Sequence, residues 1–254
     1  MVSVVMPAWN AGKYIEQAME SVACQTWQGP VQLIVVDNGS EDETVAIAER
    51  VQREWQEKYG RLRELCIEHN PVKGVSATRN MGMNRAEGEY IAFLDADDWW
   101  DKDKLKKQME VMEADPDCKL CSTARELMTA DGKTMNRIIK VKEYITLEDL
   151  EKQNLINCSS VLMDKKLAIE TPMEHDDSHE DYIMWLRVLA KCSYARAVNE
   201  PLLKCRQSSD GKSRNKIKSA GMTWKVYRYV GYSFFKSLRC FVCYMLAGVR
   251  KYYG

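Results

Sequence analysis

Three carboxylates stand within four residues, directly after an apolar run. Asp95, Asp97 and Asp98 follow residues 91–94, whose unbroken apolar character is typical of a strand buried on both faces. Such crowded negative charge is unfavourable unless a cation or hydrogen-bond donors neutralise it. Because hard Mg²⁺ or Mn²⁺ prefers carboxylate oxygens, the cluster indicates a divalent-metal site for a phosphorylated ligand. The alternative is an acidic turn before a helix that begins near Asp103.

Alternating strand and helix patterns lead up to this cluster. They predict a parallel sheet with right-handed crossovers, a Rossmann-like half. In open α/β sheets ligands bind beyond the carboxyl ends of the strands, and the three acids follow a predicted strand. The predicted strands are residues 2–8, 31–36, 62–67 and 90–94, and the predicted helices are residues 14–24, 43–59 and 75–86.

The pattern after Asp98 is more varied. Residues 180–190 predict a helix with two acids, Glu180 and Asp181, in its first turn, where the helix dipole favours negative charge. Asp131-Gly132 predicts a hairpin, and residues 208–211 predict a hinge. The remaining predicted elements are helices at residues 103–112 and 146–152, a strand at 159–163 and an extended segment at 194–205.

Composition is that of an ordinary folded protein. The 254 residues are 45% apolar and 29% charged, which excludes a disordered chain and allows one large α/β domain with or without an appendage. Nine scattered cysteines do not suggest a disulfide framework, so we expect a reducing compartment. No secretory signal is expected, because the chain enters an apolar strand pattern at once.

The C-terminal segment, residues 211–254, is strongly basic. It contains ten Lys or Arg and no Asp or Glu, whereas the first 210 residues carry 27 basic and 37 acidic side chains. Aromatic residues between the basic ones predict a helical module that lies on an anionic membrane surface rather than crossing it. A helix packed on the domain is the alternative. Nucleic-acid binding is a weaker alternative, and we expect no nucleic-acid partner.

Five motifs taken together resemble the inverting family-2 glycosyltransferases with the GT-A fold, of the bacterial cell-surface polysaccharide type. The resemblance covers roughly residues 2–206 and implies a GT-A domain with a mixed sheet at 1–210. That domain would have a nucleotide-sugar half at 1–98 and an acceptor half at 99–210. The basic helical tail at 211–254 would follow that domain. The motifs are VSVVMPAWN, Gln25-Thr26, VVDNGSEDET, ATRNMGMNRAEGEYIAFLDADDWW and EDYIMWLRVL.

The resemblance also implies roles for individual residues. Asp97 and Asp98 would hold Mn²⁺ or Mg²⁺, Asp181 would be the general base, and Glu180 would orient that base or stabilise the start of its helix. Asn38 stands where the family usually has a second acid that contacts the nucleobase. The identity of the donor's nucleotide is therefore open, with a UDP-sugar favoured. The donor-binding positions would be Pro7, Ala8, Asn10, Asp37, Asn38, Arg79, Asp95 and Asp97.

The expected function is sugar transfer from a nucleoside diphosphate to a hydroxyl of a glycan or lipid-linked acceptor. The cation would stabilise the leaving diphosphate, and one carboxylate would accept the hydroxyl proton in a single inverting displacement. We expect a cytoplasmic enzyme, peripherally associated with the inner face of the cell membrane. The alternatives are a nucleotidyltransferase or phosphatase, and a catalytically inactive nucleotide-sugar-binding or membrane scaffold protein.

Overall fold

The computed structural model describes residues 1–59, 63–207 and 216–253. The predicted hinge and the first residue of the predicted third strand therefore lie outside the described residues. The strands are β1 (Val2–Ala8), β2 (Val31–Asp37), β3 (Arg63–His69), β4 (Tyr90–Phe93), β5 (Trp99–Trp100), β6 (Leu120–Met128), β7 (Thr134–Ile139), β8 (Tyr144–Ile145), β9 (Leu162–Asp164) and β10 (Ala195–Arg206). The helices are α1 (Ile15–Ala23), α2 (Thr44–Tyr59), α3 (Val75–Arg85), α4 (Lys104–Ala114), α5 (Leu147–Lys152), α6 (Lys165–Ile169), α7 (Glu180–Leu189), α8 (Lys216–Tyr229) and α9 (Phe234–Tyr253).

The first half of the sheet is parallel. Strand β1 pairs with both β2 and β4, and β3 pairs with β2 on the outside, so the carboxyl ends of these strands meet at one edge. Val5, Ile34 and Phe93 lie side by side in register and are fully buried. Helix α3 packs closely on these strands, because a Cβ atom at Gly82 would lie only 2.4 Å from Val5 Cγ1.

The second half makes the sheet mixed. Strand β9 lies antiparallel between β4 and β6, whereas β10 pairs parallel with β6 and antiparallel with β5. The strand order is β3-β2-β1-β4-β9-β6-β10-β5, with β7 beside β6 and β8 beside β10. The predicted α/β class with a Rossmann-like half and a mixed sheet is confirmed.

One predicted strand begins later than expected. Residues 158–160 form a 3₁₀ turn, in which the amide of Ser160 donates to Asn157 O and that of Val161 to Cys158 O. The strand itself is β9, which starts at Leu162. The turn supports the backbone of the acid cluster, because Ser159 Oγ accepts the backbone N–H of Asp95 at 3.1 Å.

The C-terminal helices α8 and α9 pack on the second half of the domain. Tyr227 of α8 is fully buried, and its hydroxyl lies 3.0 Å from Glu151 O and 3.1 Å from the hydroxyl of Tyr182 in α7. The ring of Tyr244 in α9 also lies against Tyr182, with centroids 6.4 Å apart. One face of the tail is therefore a packed part of the fold, as the alternative interpretation held. Among the described residues, no helix is both long and apolar enough to cross a membrane.

Candidate active site

A cavity of about 440 Å³ opens at the carboxyl ends of β1, β2 and β4. Every predicted donor-binding residue except Asp37 lines this cavity, and so does Glu180. Parallel pairing explains the convergence, because it brings the ends of neighbouring strands to the same edge. Tyr14, directly before α1, and Thr78 of α3 also line the cavity, although neither was given a role from the sequence.

The loops that follow β1 and β2 are tied together. Asn10 adopts a positive φ of 48°; its amide donates to Ser40 Oγ at 3.0 Å, and its Oδ1 accepts the amide of Glu41 at 2.8 Å. Asp37 is buried and accepts the backbone N–H groups of Gly39 and Ser40, both at 3.1 Å. Asp37 therefore shapes the turn that presents its neighbour to the cavity, rather than lining the cavity itself.

Asn38 also contacts the start of α3. Its Oδ1 accepts the backbone N–H of Gly74 at 3.2 Å, and Gly74 precedes the first residue of that helix with a φ of 131°. This bond fixes the side chain at the cavity wall with its oxygen directed at Gly74. The side-chain amide of Asn38 remains a hydrogen-bond donor for a ligand.

The three acids of the cluster have different surroundings. Asp95 accepts a hydrogen bond from Arg79, and buried Asp98 accepts the backbone N–H of Arg206 at 2.8 Å. Asp97 lines the cavity, and within the described residues its carboxylate makes no ion pair or hydrogen bond with another side chain. Burial and the charge of Asp95 raise the pKa of Asp97 to about 6, and burial followed by the charge of Asp97 raises the pKa of Asp98.

This arrangement fits a divalent cation bound partly by its substrate. A cation next to Asp97 would relieve the crowded negative charge that raises its pKa. Within the described residues no group of three His, Cys, Asp or Glu side chains could hold a metal on its own. Mg²⁺-type sites commonly use one or two carboxylates and take further oxygens from substrate phosphates. Asp97 is placed for direct contact, whereas Asp98 does not line the cavity.

Arg79 joins the acid cluster to helix α7. Its side chain is only 6% exposed; Nη1 donates to Glu180 Oε1 at 2.9 Å, and Nη2 donates to Asp95 Oδ1 at 2.6 Å. Arg79 lines the cavity as predicted for a donor-binding residue, yet both of its terminal nitrogens are occupied by carboxylates. From its place in α3, the Arg79 side chain therefore connects Asp95, just after β4, with Glu180 at the start of α7.

Asp181 lies in the first turn of α7 and is half-buried. Its Oδ1 accepts the backbone N–H of Tyr182 at 2.7 Å. Burial, and then the adjacent charge of Glu180, raise the pKa of Asp181 to about 7. The helix is anchored by fully buried Ile183, Met184 and Leu186. A rigidly held carboxylate that titrates near neutrality has the properties of a general base.

Arg206 supports the backbone and side chains of the acid cluster, a role that the sequence did not indicate. Its Nε donates to Asp97 O at 2.8 Å, and its Nη2 donates to Gln17 Oε1 at 2.7 Å. The guanidinium also lies over the rings of Tyr14 and Trp99, at 4.4 and 4.7 Å from their centroids. No motif or spacing marks this residue, since it is 109 positions from Asp97 and closes an ordinary strand.

The loop that precedes Asp181 is held by the tail, which the sequence also did not indicate. His175 stacks on Tyr229 of α8 with ring centroids 3.7 Å apart, and Asp177 Oδ2 accepts hydrogen bonds from Lys225 at 2.6 Å and Tyr229 at 3.0 Å. Between them, Asp176 accepts the backbone N–H of Ser76 in the first turn of α3 at 2.9 Å. Helix α8 thus contributes to the position of both α3 and α7.

Comparisons with known proteins agree with this geometry. The family model described as "Glycosyl transferase family 2" matches residues 3–168. The teichuronic acid biosynthesis glycosyltransferase TuaG, so named in Bacillus subtilis (strain 168), is 35% identical over 99% of this chain and 97% of its own length. The Escherichia coli protein named UDP-Glc:alpha-D-GlcNAc-diphosphoundecaprenol beta-1,3-glucosyltransferase WfaP is 27% identical over 99% of this chain and 95% of its length.

Two solved structures share the fold. Residues 1–349 of S. aureus TarS in complex with UDP-GlcNAc superpose with a TM-score of 0.72 at 16% identity, covering 98% of this chain and 72% of that one. The mannosyltransferase PcManGT from Pyrobaculum calidifontis, in complex with GDP-Man and Mn²⁺, gives a TM-score of 0.66 at 18% identity, covering 100% and 76%. At these identities the two structures establish the architecture of this chain and not its ligands.

The bridge made by Arg79 can be tested through stability. Arg79→Met leaves the carboxylates of Asp95 and Glu180 without their shared cation, so we expect the free energy of unfolding to fall by about 3 kcal/mol, the lower end for a broken buried pair, because Asp95 is one-third exposed. Urea unfolding provides the measurement. Arg50→Met, which removes exposed pairs with Glu16 and Glu54, is the matched control and should cost less than about 1 kcal/mol. Equal losses in the two variants would contradict the bridge.

Proposed function

The chain belongs to glycosyl transferase family 2 and has the GT-A fold, and from this premise we propose that it transfers a sugar from a nucleoside diphosphate to an acceptor hydroxyl with inversion. One observation carries the proposal. A cavity at the strand ends contains the available carboxylate of Asp97, while Arg79 ties the same edge to the helix that starts with Glu180 and Asp181. The proposed donor site and the proposed base thus lie on different parts of the chain, and the side chain of Arg79 joins these parts.

The proposed donor is a nucleotide sugar, with a UDP-sugar favoured. Pro7 and Ala8 at the end of β1 line the cavity, together with Asn10 in the loop after β1 and Asn38 in the loop after β2. The names of WfaP and of the TarS complex specify UDP-Glc and UDP-GlcNAc for those proteins, which supports uridine here. PcManGT is named with a guanosine donor, so the family fold alone does not select the base.

We propose that Asp97 holds Mn²⁺ or Mg²⁺ together with the donor's phosphates, with Asp98 behind it. When bound, such a cation stabilises the negative charge that develops on the leaving diphosphate. The support is the raised pKa of Asp97, its position in the cavity wall and the Mn²⁺ named in the PcManGT complex. Asp98 fixes the loop through the backbone of Arg206, so its contribution would come mainly through the position of Asp97.

Asp181 is the proposed general base. Its Oδ1 is occupied by the amide of Tyr182, which leaves Oδ2 to accept the proton of the acceptor hydroxyl as oxygen attacks the anomeric carbon. Glu180 lies next to it but is engaged by Arg79, so it acts as a positioning residue rather than as a second base. A single displacement by one activated hydroxyl inverts the anomeric configuration.

The proposed acceptor is a glycan or a lipid-linked sugar in cell-surface polysaccharide synthesis. TuaG is named for teichuronic acid biosynthesis and WfaP for a diphosphoundecaprenol acceptor. We place the enzyme in the cytoplasm, peripherally associated with the inner face of the membrane. The support is the basic composition of residues 211–254 and the nine cysteines, all of them free thiols, as expected in a reducing compartment.

An inactive binding or scaffold protein is the alternative function. It would use the same cavity but would have no need for a half-buried carboxylate with a pKa near 7 at the start of α7. A nucleotidyltransferase or phosphatase is less consistent with the family to which the chain belongs.

Metal-dependent donor binding should depend on Asp97. We expect Asp97→Asn to reduce the Mn²⁺-dependent gain in UDP affinity by at least about tenfold, since even outer-shell partners of metal sites are worth that much. Calorimetry with UDP, in the presence and absence of Mn²⁺, gives the affinities. Asp131→Asn in the exposed β6–β7 turn is the control and should behave as the original protein. Unchanged Mn²⁺-dependent affinity in Asp97→Asn would remove Asp97 from the metal site.

The assignment of the base predicts a selective loss of turnover. Asp181→Asn should lower the rate of transfer or donor hydrolysis by about 10²–10⁴-fold, the usual contribution of a general base, and leave UDP affinity nearly unchanged. Because a protonated carboxyl cannot accept a proton, the turnover of the original protein should fall as the pH decreases through the raised pKa of Asp181, about 7.

The controls separate catalysis from helix stability. The side-chain oxygen of asparagine can accept the amide of Tyr182 as that of aspartate does, so a structural role alone would leave Asp181→Asn active. Glu148→Gln, at an exposed first-turn acid of α5, should retain full turnover. Near-normal turnover in Asp181→Asn together with an inactive Glu180→Gln would move the base to Glu180.

A further inference from the structure

Helix α9 has an apolar face that the described part of the chain leaves largely exposed. Its six large side chains, which we call the α9 ridge, are between 43 and 82% exposed. At 100° per residue they fall within an arc of about 120°, so they form one continuous stripe along the helix. The ridge consists of Phe234, Phe235, Leu238, Val242, Met245 and Leu246.

The rest of α9 packs on the domain. Cys240, opposite the ridge, is buried, and at one end of the ridge the rings of Phe234 and Phe241 pack edge-on against Trp224 of α8 with centroids 5.8 and 5.7 Å apart. Lys236 and Arg239 reach Glu151 in α5, with oxygen–nitrogen distances of 2.7 and 3.9 Å. The exposed part of the ridge therefore does not contribute to the packing of the domain. An exposed apolar stripe of this size marks an interaction surface.

The charge of the surrounding segment distinguishes the possible partners. Residues 211–254 carry ten basic residues and no acid, and the catalytic domain supplies Asp177 and Glu151 as ion-pair partners for three of them. Basic residues thus exceed acids by a wide margin within this segment of the sequence. A second copy docked on the ridge would bring an equally basic segment alongside, whereas an anionic lipid surface attracts it.

We propose that the α9 ridge inserts into the interfacial region of an anionic lipid bilayer and sets the orientation of the active site relative to the membrane. The proposal rests on the membrane location proposed above and names the surface responsible. Tyr244 is on the packed side of α9, and its ring centroid lies 6.4 Å from that of Tyr182, the residue that follows the proposed base. A single layer of side chains therefore separates the base-bearing helix from the helix on the bilayer, so the tail acts as a rigid platform and not as a loose tether.

Vesicle co-sedimentation of the full-length protein tests this surface. The vesicles are pure phosphatidylcholine, or an equal mixture of phosphatidylcholine and phosphatidylglycerol, at low and high salt. The double variant Phe235→Ser/Leu246→Ser removes two ridge side chains. Met135→Ser/Ile138→Ser is the matched control, because these β7 residues are 46 and 50% exposed and lie away from the tail.

We expect the original protein and the β7 control to bind the mixed vesicles, more weakly at high salt, and the ridge variant to bind at least about tenfold more weakly, given the usual gain from burying two large apolar side chains. Equal binding by the ridge variant, or no binding by the original protein, would overturn the proposal. A dimer that the ridge variant converts to a monomer in light scattering would assign the ridge to a second copy instead. UDP binding with Mn²⁺, measured on every variant, verifies the fold and tests the proposed donor site separately from membrane binding.

Discussion

The buried guanidinium of Arg79 is the contact on which the geometry of the site depends. It is shared between Asp95, at the end of a central strand, and Glu180, at the start of the helix that carries Asp181. Breaking such a pair leaves uncompensated charge in a buried place, so the three side chains constrain one another strongly. The end of β4 and the start of α7 are therefore held in one arrangement at the edge of the cavity.

The bridge also explains why adjacent acids can have different roles. Glu180 and Asp181 are neighbours in sequence, yet the first is paired with Arg79, and the second keeps an oxygen available and has a raised pKa. In the same way Asp95 is paired, Asp98 is bound to the backbone of β10, and Asp97 faces the cavity. In both clusters, neighbouring groups engage some carboxylates and leave an oxygen of another available.

Local pattern was sufficient to predict the frame of the molecule. Strands β1 and β2 are mainly apolar, and α7 is an apolar segment that begins with two acids. The element types and the edge where Pro7, Asn38 and Asp97 gather therefore followed from the sequence. The motif resemblance identified the family. The supporting contacts could not be predicted, because they join distant positions with no periodic signal.

The tail shows this limit most clearly. Its basic, aromatic composition was visible in the sequence, but composition does not tell which face of a helix packs. The structure directs Tyr227 and Tyr244 towards α7 and leaves Phe235 and Leu246 exposed. Helix α8 holds the loop before α7 through Tyr229. The segment predicted as a separate module thus belongs to the architecture of the site as well as offering a surface for a partner.

The stereochemistry of the reaction tests the central claim most directly. Enzyme with Mn²⁺ and either UDP-α-glucose or UDP-α-N-acetylglucosamine, with water as the acceptor, can be followed by proton NMR from the first minutes, before the released sugar equilibrates between its anomers. A single displacement assisted by Asp181 predicts that the β-anomer appears first. Initial release of the α-anomer would contradict the one-base mechanism and the roles assigned to Glu180 and Asp181.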